Sequence, residues 1–200
     1  MNILKINVGI LACFLSLLFS MSSIYSNDNV VSIQIATDPT PYFFQGVSGV
    51  VFLNHSRLPQ LTAGFEYFSM NMPSVYVEQH AKNKGLGWNQ YIRHGYIVYA
   101  VYFFDPFINK HQGFHLGTGI SFLQSDITRD QFNNKKLISI TELFLRGGYR
   151  WFPLLNKPIF IDPWVSLLFL NINGDTTIGS KSYYISPVNI LASLHVGIQF

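Results

Sequence analysis

The sequence predicts an all-β fold, a single antiparallel barrel of eight strands that crosses a membrane, and three observations carry that prediction. The first is alternation. In the last stretch, Ile190-Leu-Ala-Ser-Leu-His-Val-Gly-Ile-Gln-Phe200, one face collects Ile190, Ala192, Leu194, Val196, Ile198 and Phe200. The other collects Leu191, Ser193, His195, Gly197 and Gln199, so the strand is apolar on one side and mostly small or polar on the other. Apolar outside and polar inside is how a membrane-spanning barrel strand reads. The second observation is composition: 48% hydrophobic and 16% aromatic but only 12% charged, against about 25% charged in an ordinary soluble domain. Beyond the first 26 residues, however, no run supplies the ~20 consecutive apolar residues of a membrane helix. Lipid-facing strands reconcile the two facts. The third observation is that connections alternate between short and long, as turns and loops do on opposite sides of a membrane.

Taken in order, the segments are 30–37, 42–54, 61–70, 94–104, 113–124, 136–151, 158–171 and the final stretch from Ile190. In the first, Val31, Ile33 and Ile35 oppose Ser32 and Gln34, and Asp38-Pro-Thr-Pro41 ends it, because proline gives no N–H to a ladder. The second is apolar on both faces, with Val47, Gly49, Val51 and Leu53 assigned outward. In the third, Leu61, Ala63, Phe65 and Tyr67 oppose Thr62, Gly64 and Glu66. The fourth, also apolar on both faces, gives no assignment. The fifth sends Phe114, Leu116, Ile120 and Phe122 out and His115, Gly117, Gly119 and Ser121 in, the glycines relieving a narrow interior. The sixth sets Leu143, Leu145, Tyr149 and Trp151 against Glu142, Arg146, Gly148 and Arg150. The seventh sets Ile161, Val165, Leu167 and Phe169 against Asp162, Trp164 and Ser166.

Between them, Ser56–Gln60, Asp105–Gln112 and Pro153–Lys157 are short, whereas Asn71–Arg93, Ser125–Lys135 and Ile172–Pro187 are long, the last with a hairpin tip at Asn173-Gly174-Asp175. This parity puts both termini on the side of the short turns. The connection at Asp38–Pro41 dissents, being short where a long loop is expected. Phe103, Phe104, Phe114, Tyr149, Trp151, Phe160 and Phe200 gather near the short-turn ends, as an interfacial girdle does.

Residues 1–26 follow the three-part plan of a secretory signal peptide: Lys5 in a short positive region, an apolar run from Ile6 to Phe19, then the small and polar Ser20 to Ser26. That leaves 27–200 as one barrel domain. The only cysteine, Cys13, falls inside the apolar run, so the remaining chain has neither a disulfide nor thiolate chemistry. The net charge of +3, of which Lys5 supplies one, is too small to argue for nucleic acid.

The terminal Leu194-x-Val196-x-Ile198-x-Phe200, ending on an aromatic residue, resembles the sorting signal of outer-membrane barrels. With the leader, the even strand count and the turn parity, the chain resembles the small eight-stranded outer-membrane barrel proteins of Gram-negative bacteria. The resemblance implies an outer-membrane location, a bilayer and lipopolysaccharide as surroundings, and the barrel-assembly machinery as the reader of the terminal signal.

If the apolar faces meet lipid, Glu66, Glu142, Arg146, Arg150 and Asp162 point inward, and burial obliges them to pair. Folding the sixth segment on the seventh brings Arg150 near Asp162 and lays Arg146 on Trp164. The lumen is then filled by a charged network, and the function expected is structural or one of surface interaction through the external loops. A small pore lined by the same charges is one alternative. A lipid A-modifying enzyme is another, since some barrels of this size are deacylases or acyl transferases, and Ser193 and His195 lie two apart on one face. No carboxylate in that strand completes a triad. His80, His94, His111, His115 and His195 are scattered, so neither a metal nor another cofactor is expected. Lys82, Lys84 and Arg93 with Trp88 and Tyr91 make the first long loop basic and aromatic, suited to phosphates of lipopolysaccharide.

Overall fold

A computed structural model describes residues 31–104, 111–154 and 157–200. The leader with Cys13 lies outside them, as do most of Asp105–Gln112 and part of the Pro153–Lys157 turn. The strands are β1 (Val31–Thr37), β2 (Val47–His55), β3 (Leu61–Asn71), β4 (Trp88–Phe103), β5 (Gly113–Arg129), β6 (Phe132–Arg150) and β7 (Ile159–Asn173), then the two-residue β8 (Thr177–Ile178) and β9 (Lys181–Ser182), and β10 (Val188–Gln199). Single helical turns, α1 (Thr40–Phe43) and α2 (Ser74–Val77), interrupt two loops. Eight strands close into a barrel in the order β1-β10-β7-β6-β5-β4-β3-β2, with β2 returning to β1, while β8 and β9 form a separate hairpin. All neighbours are antiparallel. No helix among the described residues is long and apolar enough to cross a membrane.

Alternation decides the faces as the side-chain period requires. Ser48, Val50, Phe52 and Asn54 of β2 are buried while Val51 and Leu53 are exposed. In β4, where the sequence left the faces open, Ile97, Tyr99, Val101 and Phe103 turn inward and Tyr96, Val98 and Tyr102 outward. Two girdle assignments are thereby corrected. Phe103 and Phe160 are fully buried luminal residues, since they share parity with Tyr99 and Asp162 and not with their exposed neighbours. Phe104, Phe114, Tyr149 and Trp151 are exposed at that end, as a girdle requires.

The strands on the long-loop side run further than the apolar pattern does. β4 starts at Trp88, inside the expected Asn71–Arg93 loop, and β5 and β6 pair through the expected Ser125–Lys135 loop as far as Arg129 and Phe132. Above the apolar band one face meets water and the other meets a second core, so polar-outward residues such as Asn89 and Gln124 hide the alternation. That core joins Val77, Trp88, Ile127, Ile138, Ile178 and Tyr183 from strand extensions and loops. The hairpin of the last loop turns between β8 and β9, where Gly179 has φ +64°, and not at Asn173–Asp175. The dissenting short connection is also explained: residues 38–46 form one loop containing α1, and β2 begins at Val47.

Inside the lower barrel, glycines make room for rings. Tyr99 lies over Gly64, and a Cβ on Gly119 would stand 2.4 Å from the Val98 carbonyl oxygen and 2.8 Å from the Phe144 ring. Gly119→Ala should therefore cost about 1–3 kcal/mol, the usual penalty of overpacking. Gly49→Ala, with nothing within 4 Å of the added carbon, should leave the barrel's stability nearly unchanged. Unfolding titrations of the two variants in detergent compare them.

Candidate functional site: the luminal charge network

β6 contributes Arg146 and Arg150 four residues apart, on the same inward parity, and β7 contributes Asp162, Trp164 and Ser166 opposite them. Arg150 is fully buried and donates from Nε and Nη2 to Asp162 Oδ2 at 3.0 and 2.7 Å. Its Nη1 donates to Gln34 Oε1 of β1, across the lumen. The other oxygen of Asp162 meets His115 Nε2 at 2.7 Å. Phe52, Phe103 and Phe160 surround the guanidinium, with ring centroids 4.6, 5.0 and 4.4 Å from its carbon. Aromatic faces of this kind attract a desolvated cation through their quadrupoles. One arginine thus spans the barrel from β6 to β1 and β7.

One inward step toward the loops, Arg146 forms a second layer. Its guanidinium carbon lies 3.9 Å from the Trp164 ring and 4.7 Å from that of Tyr99, its Nε donates to Ser166 Oγ at 3.2 Å, and Nη1 is 4.0 Å from Glu66 Oε2. The same Glu66 oxygen faces His195 Nε2 at 3.5 Å. Glu142 stands apart, which corrects its place in the expected network. It accepts a hydrogen bond from Ser121 Oγ at 2.6 Å and has no ion pair among the described residues. Its side chain leaves β6 toward β5.

The histidine members were missed by the sequence reading. His115 and His195 each meet a carboxylate on another strand, Asp162 of β7 and Glu66 of β3, and contacts between strands so far apart in sequence leave no spacing signal. His195 and Glu66 also converge with Asp38 of the first loop, one donor atom from each lying within 4.8 Å of the others. Among the described residues, these three are the ones that could hold a metal ion. Arg146 already places positive charge against the Glu66 oxygen, and Asp38 already accepts from Ser193 Oγ at 2.6 Å and from the Thr40 N–H at 2.7 Å. Ser193 and His195 are not joined to each other: the hydroxyl serves Asp38 and Thr40, and the imidazole serves Glu66. The basic and aromatic loop is likewise used internally. Trp88 is buried against Tyr183, Arg93 pairs with Asp126 at 2.6 Å, and Lys82 stands over the Tyr184 ring. At the loop tips, hydrogen bonds from Lys136 and Thr177 hold the Asp175 carboxyl down at about 2, while burial pushes the Tyr183 hydroxyl up to about 12.

No family model matches the sequence, and no curated protein matches it either. Among solved structures, the chain is similar to Acinetobacter baumannii CarO, with a TM-score of 0.45 and 14% identity over 85% of this chain and 96% of that one. It is also similar to Neisserial surface protein A, with a TM-score of 0.39 and 14% identity over 84% of this chain and 94% of that one.

Because Arg150 and Asp162 are buried together, removing one strands the other. Arg150→Ala should cost ~3–5 kcal/mol, as broken buried pairs do. Arg150→Ala with Asp162→Ala should recover part of that loss, since the pair and its coupling are removed together. Unfolding titrations in detergent for the singles and the double read the coupling directly. Additive, near-zero effects would mean that both charges are already solvated.

Proposed function

We propose that the protein is an outer-membrane barrel of a Gram-negative envelope that acts as a structural or surface-interaction element through its external loops, with a lumen closed to ions. The observation that carries this reading is the Arg150 layer. A guanidinium bonded to Gln34 on one wall and Asp162 on another, caged by three phenylalanines, leaves the cross-section occupied. Eight strands enclose a space that side chains can fill. The exposed residues on the other face, among them Phe65, Val98, Leu116, Leu143, Leu145 and Val165, supply the apolar band a bilayer requires. Membrane lipid is the surrounding medium on this reading, and lipopolysaccharide is the component the external loops meet.

The protein should fractionate with the outer membrane, migrate differently on gels before and after heating, and be silent in planar bilayers. Steady single-channel conductance from the intact barrel would establish the pore instead. Lipid A that differs by mass between cells with and without the protein would establish an enzyme. On the same reading Leu194, Val196, Ile198 and Phe200 form the assembly signal. Deleting Phe200 should then reduce the amount reaching the outer membrane far more than the loss of its one backbone hydrogen bond to Ile33 lowers the unfolding midpoint of refolded protein. Equal membrane levels of truncated and intact chains would refute that role.

A further inference from the structure

β1 stops at Thr37 because Asp38-Pro39-Thr40-Pro41 follows, and proline neither donates to a ladder nor keeps strand geometry here, where the chain turns into α1. Its neighbour does not stop with it. β10 pairs with β1 only from Gln199↔Gln34 to Val196↔Thr37, whereas it pairs with β7 all the way to Val188↔Phe169. From Val188 to His195, β10 therefore has a ladder on one edge alone. β2 likewise loses β1 beyond Val50↔Ala36. Across this gap the wall is made by the α1 turn, clasped to β10 through side chains: the Thr40 and Ser193 hydroxyls are 2.8 Å apart, and Ser193 donates to Asp38.

A cavity of about 530 Å³ lies at this level, between the Arg146 layer and the outer core. Its lining includes inward-facing Glu142, Arg146 and Ser166, and also Leu167, Ile190 and Ala192, which belong to the outward face of β7 and β10. Asp38, Thr40 and Pro41, from the loop that spans the gap, line it too, so the cavity reaches the place where β10 has no ladder to β1. The volume is within the range of small-molecule sites, roughly 300–1,000 Å³. Its upper surface is apolar, with Phe68, Leu123, Ile140 and Leu170. Its floor is polar and incompletely paired. Arg146, almost fully buried, has no hydrogen-bond acceptor for Nη1, and Glu142 has Ser121 but no cation.

We propose that the gap is a lateral port by which a single-chain zwitterionic phospholipid passes from the bilayer into this chamber. Its chain lies under the apolar roof. Its phosphate meets Arg146, whose Nη1 has no hydrogen-bond acceptor, and its ammonium meets Glu142, which has no cation partner among the described residues. The bare edge of β10 gives a second reason for a polar-headed guest, because backbone groups facing hydrocarbon need a hydrogen-bonding partner. This inference rests on the membrane-barrel reading above.

Trp164 also lines the chamber and serves as the reporter. In a protein carrying Trp88→Phe and Trp151→Phe, reconstituted in phosphatidylcholine vesicles, lysophosphatidylethanolamine brominated on its chain should quench Trp164 emission. A brominated fatty acid, lacking the ammonium, should quench it less. Thr40→Cys with Ser193→Cys fastens α1 to β10 when oxidised, so quenching should be lost on oxidation and restored by reduction. Ala192→Phe, on the outward face of the mouth, should reduce quenching without any crosslink. Protein that fails to insert, judged by heat-modifiable migration, overturns the membrane reading and the port together. Inserted protein that shows no quenching, or quenching equal in the locked, Ala192→Phe and open forms, overturns the port alone. So does a fatty acid that quenches as strongly as the lysophospholipid.

Discussion

Closing eight strands into a ring leaves an interior that the chain's own side chains must fill, and in this barrel the filling turns on one buried guanidinium. Arg150 has no access to water, so each of its donors must be met by protein. Asp162 takes two of them and Gln34 a third. Asp162 in turn is completed by His115, so four residues from β1, β5, β6 and β7 become one unit. The three phenylalanines around it arrive from β2, β4 and β7. Gly148 under the His115 ring and Phe103 against the guanidinium belong to the packing of that unit.

The backbone around Arg150 is adjusted to the same end. The β6–β7 ladder runs to Gly148↔Trp164 and resumes only as an isolated bridge at Trp151↔Ile161. Between them stands Pro163, which has no N–H to give to a neighbour. On its other side β7 stays paired with β10 through Leu194↔Pro163 and His195↔Asp162. The lapse in the ladder therefore falls where the Arg150–Asp162 side-chain pair joins the same two strands, and charge-assisted hydrogen bonds replace backbone ones.

The part of the fold that was legible in sequence is the part whose two faces have different surroundings. Where one face is apolar and exposed and the other turns to a polar lumen, hydrophobicity alternates, and Val31, Ile33, Phe114, Leu143 and Val165 announce their direction. The register then brings Arg150 to Asp162 and Arg146 to Trp164, because residues on facing strands follow from the turn that joins them. The rest was hidden for identifiable reasons. Trp88 to Arg93 and Ser125 to Lys135 lie beyond the apolar band, where outward residues are polar and inward ones include Gln90 and Ser125 as well as Ile127. Phe103 and Phe160 resemble girdle aromatics in composition and differ only in parity. His115, His195 and Asp38 find their carboxylate and hydroxyl partners across closures that no single turn dictates. Glu142 shares parity with the arginines and yet points to Ser121, a choice between neighbouring strands that alternation does not make.

The seam between the first and last strands shows how these features depend on each other. It is the shortest pairing in the barrel wall, four residue pairs from Gln34 to Thr37, because Pro39 and Pro41 end β1 early. A closed barrel is stable in lipid only if such a seam holds. Here the reinforcement comes from inside and below. Gln34 takes the Arg150 guanidinium and donates to Gln199 of β10, and the Phe200 N–H donates to the Ile33 carbonyl at 3.0 Å. The guanidinium that fills the lumen thus also fastens the strand with the least ladder of its own. Tying the lower seam this firmly lets the upper seam do without backbone pairing: the unit that fills the lower lumen holds together a ring whose wall has no ladder between β1 and β10 beyond Thr37.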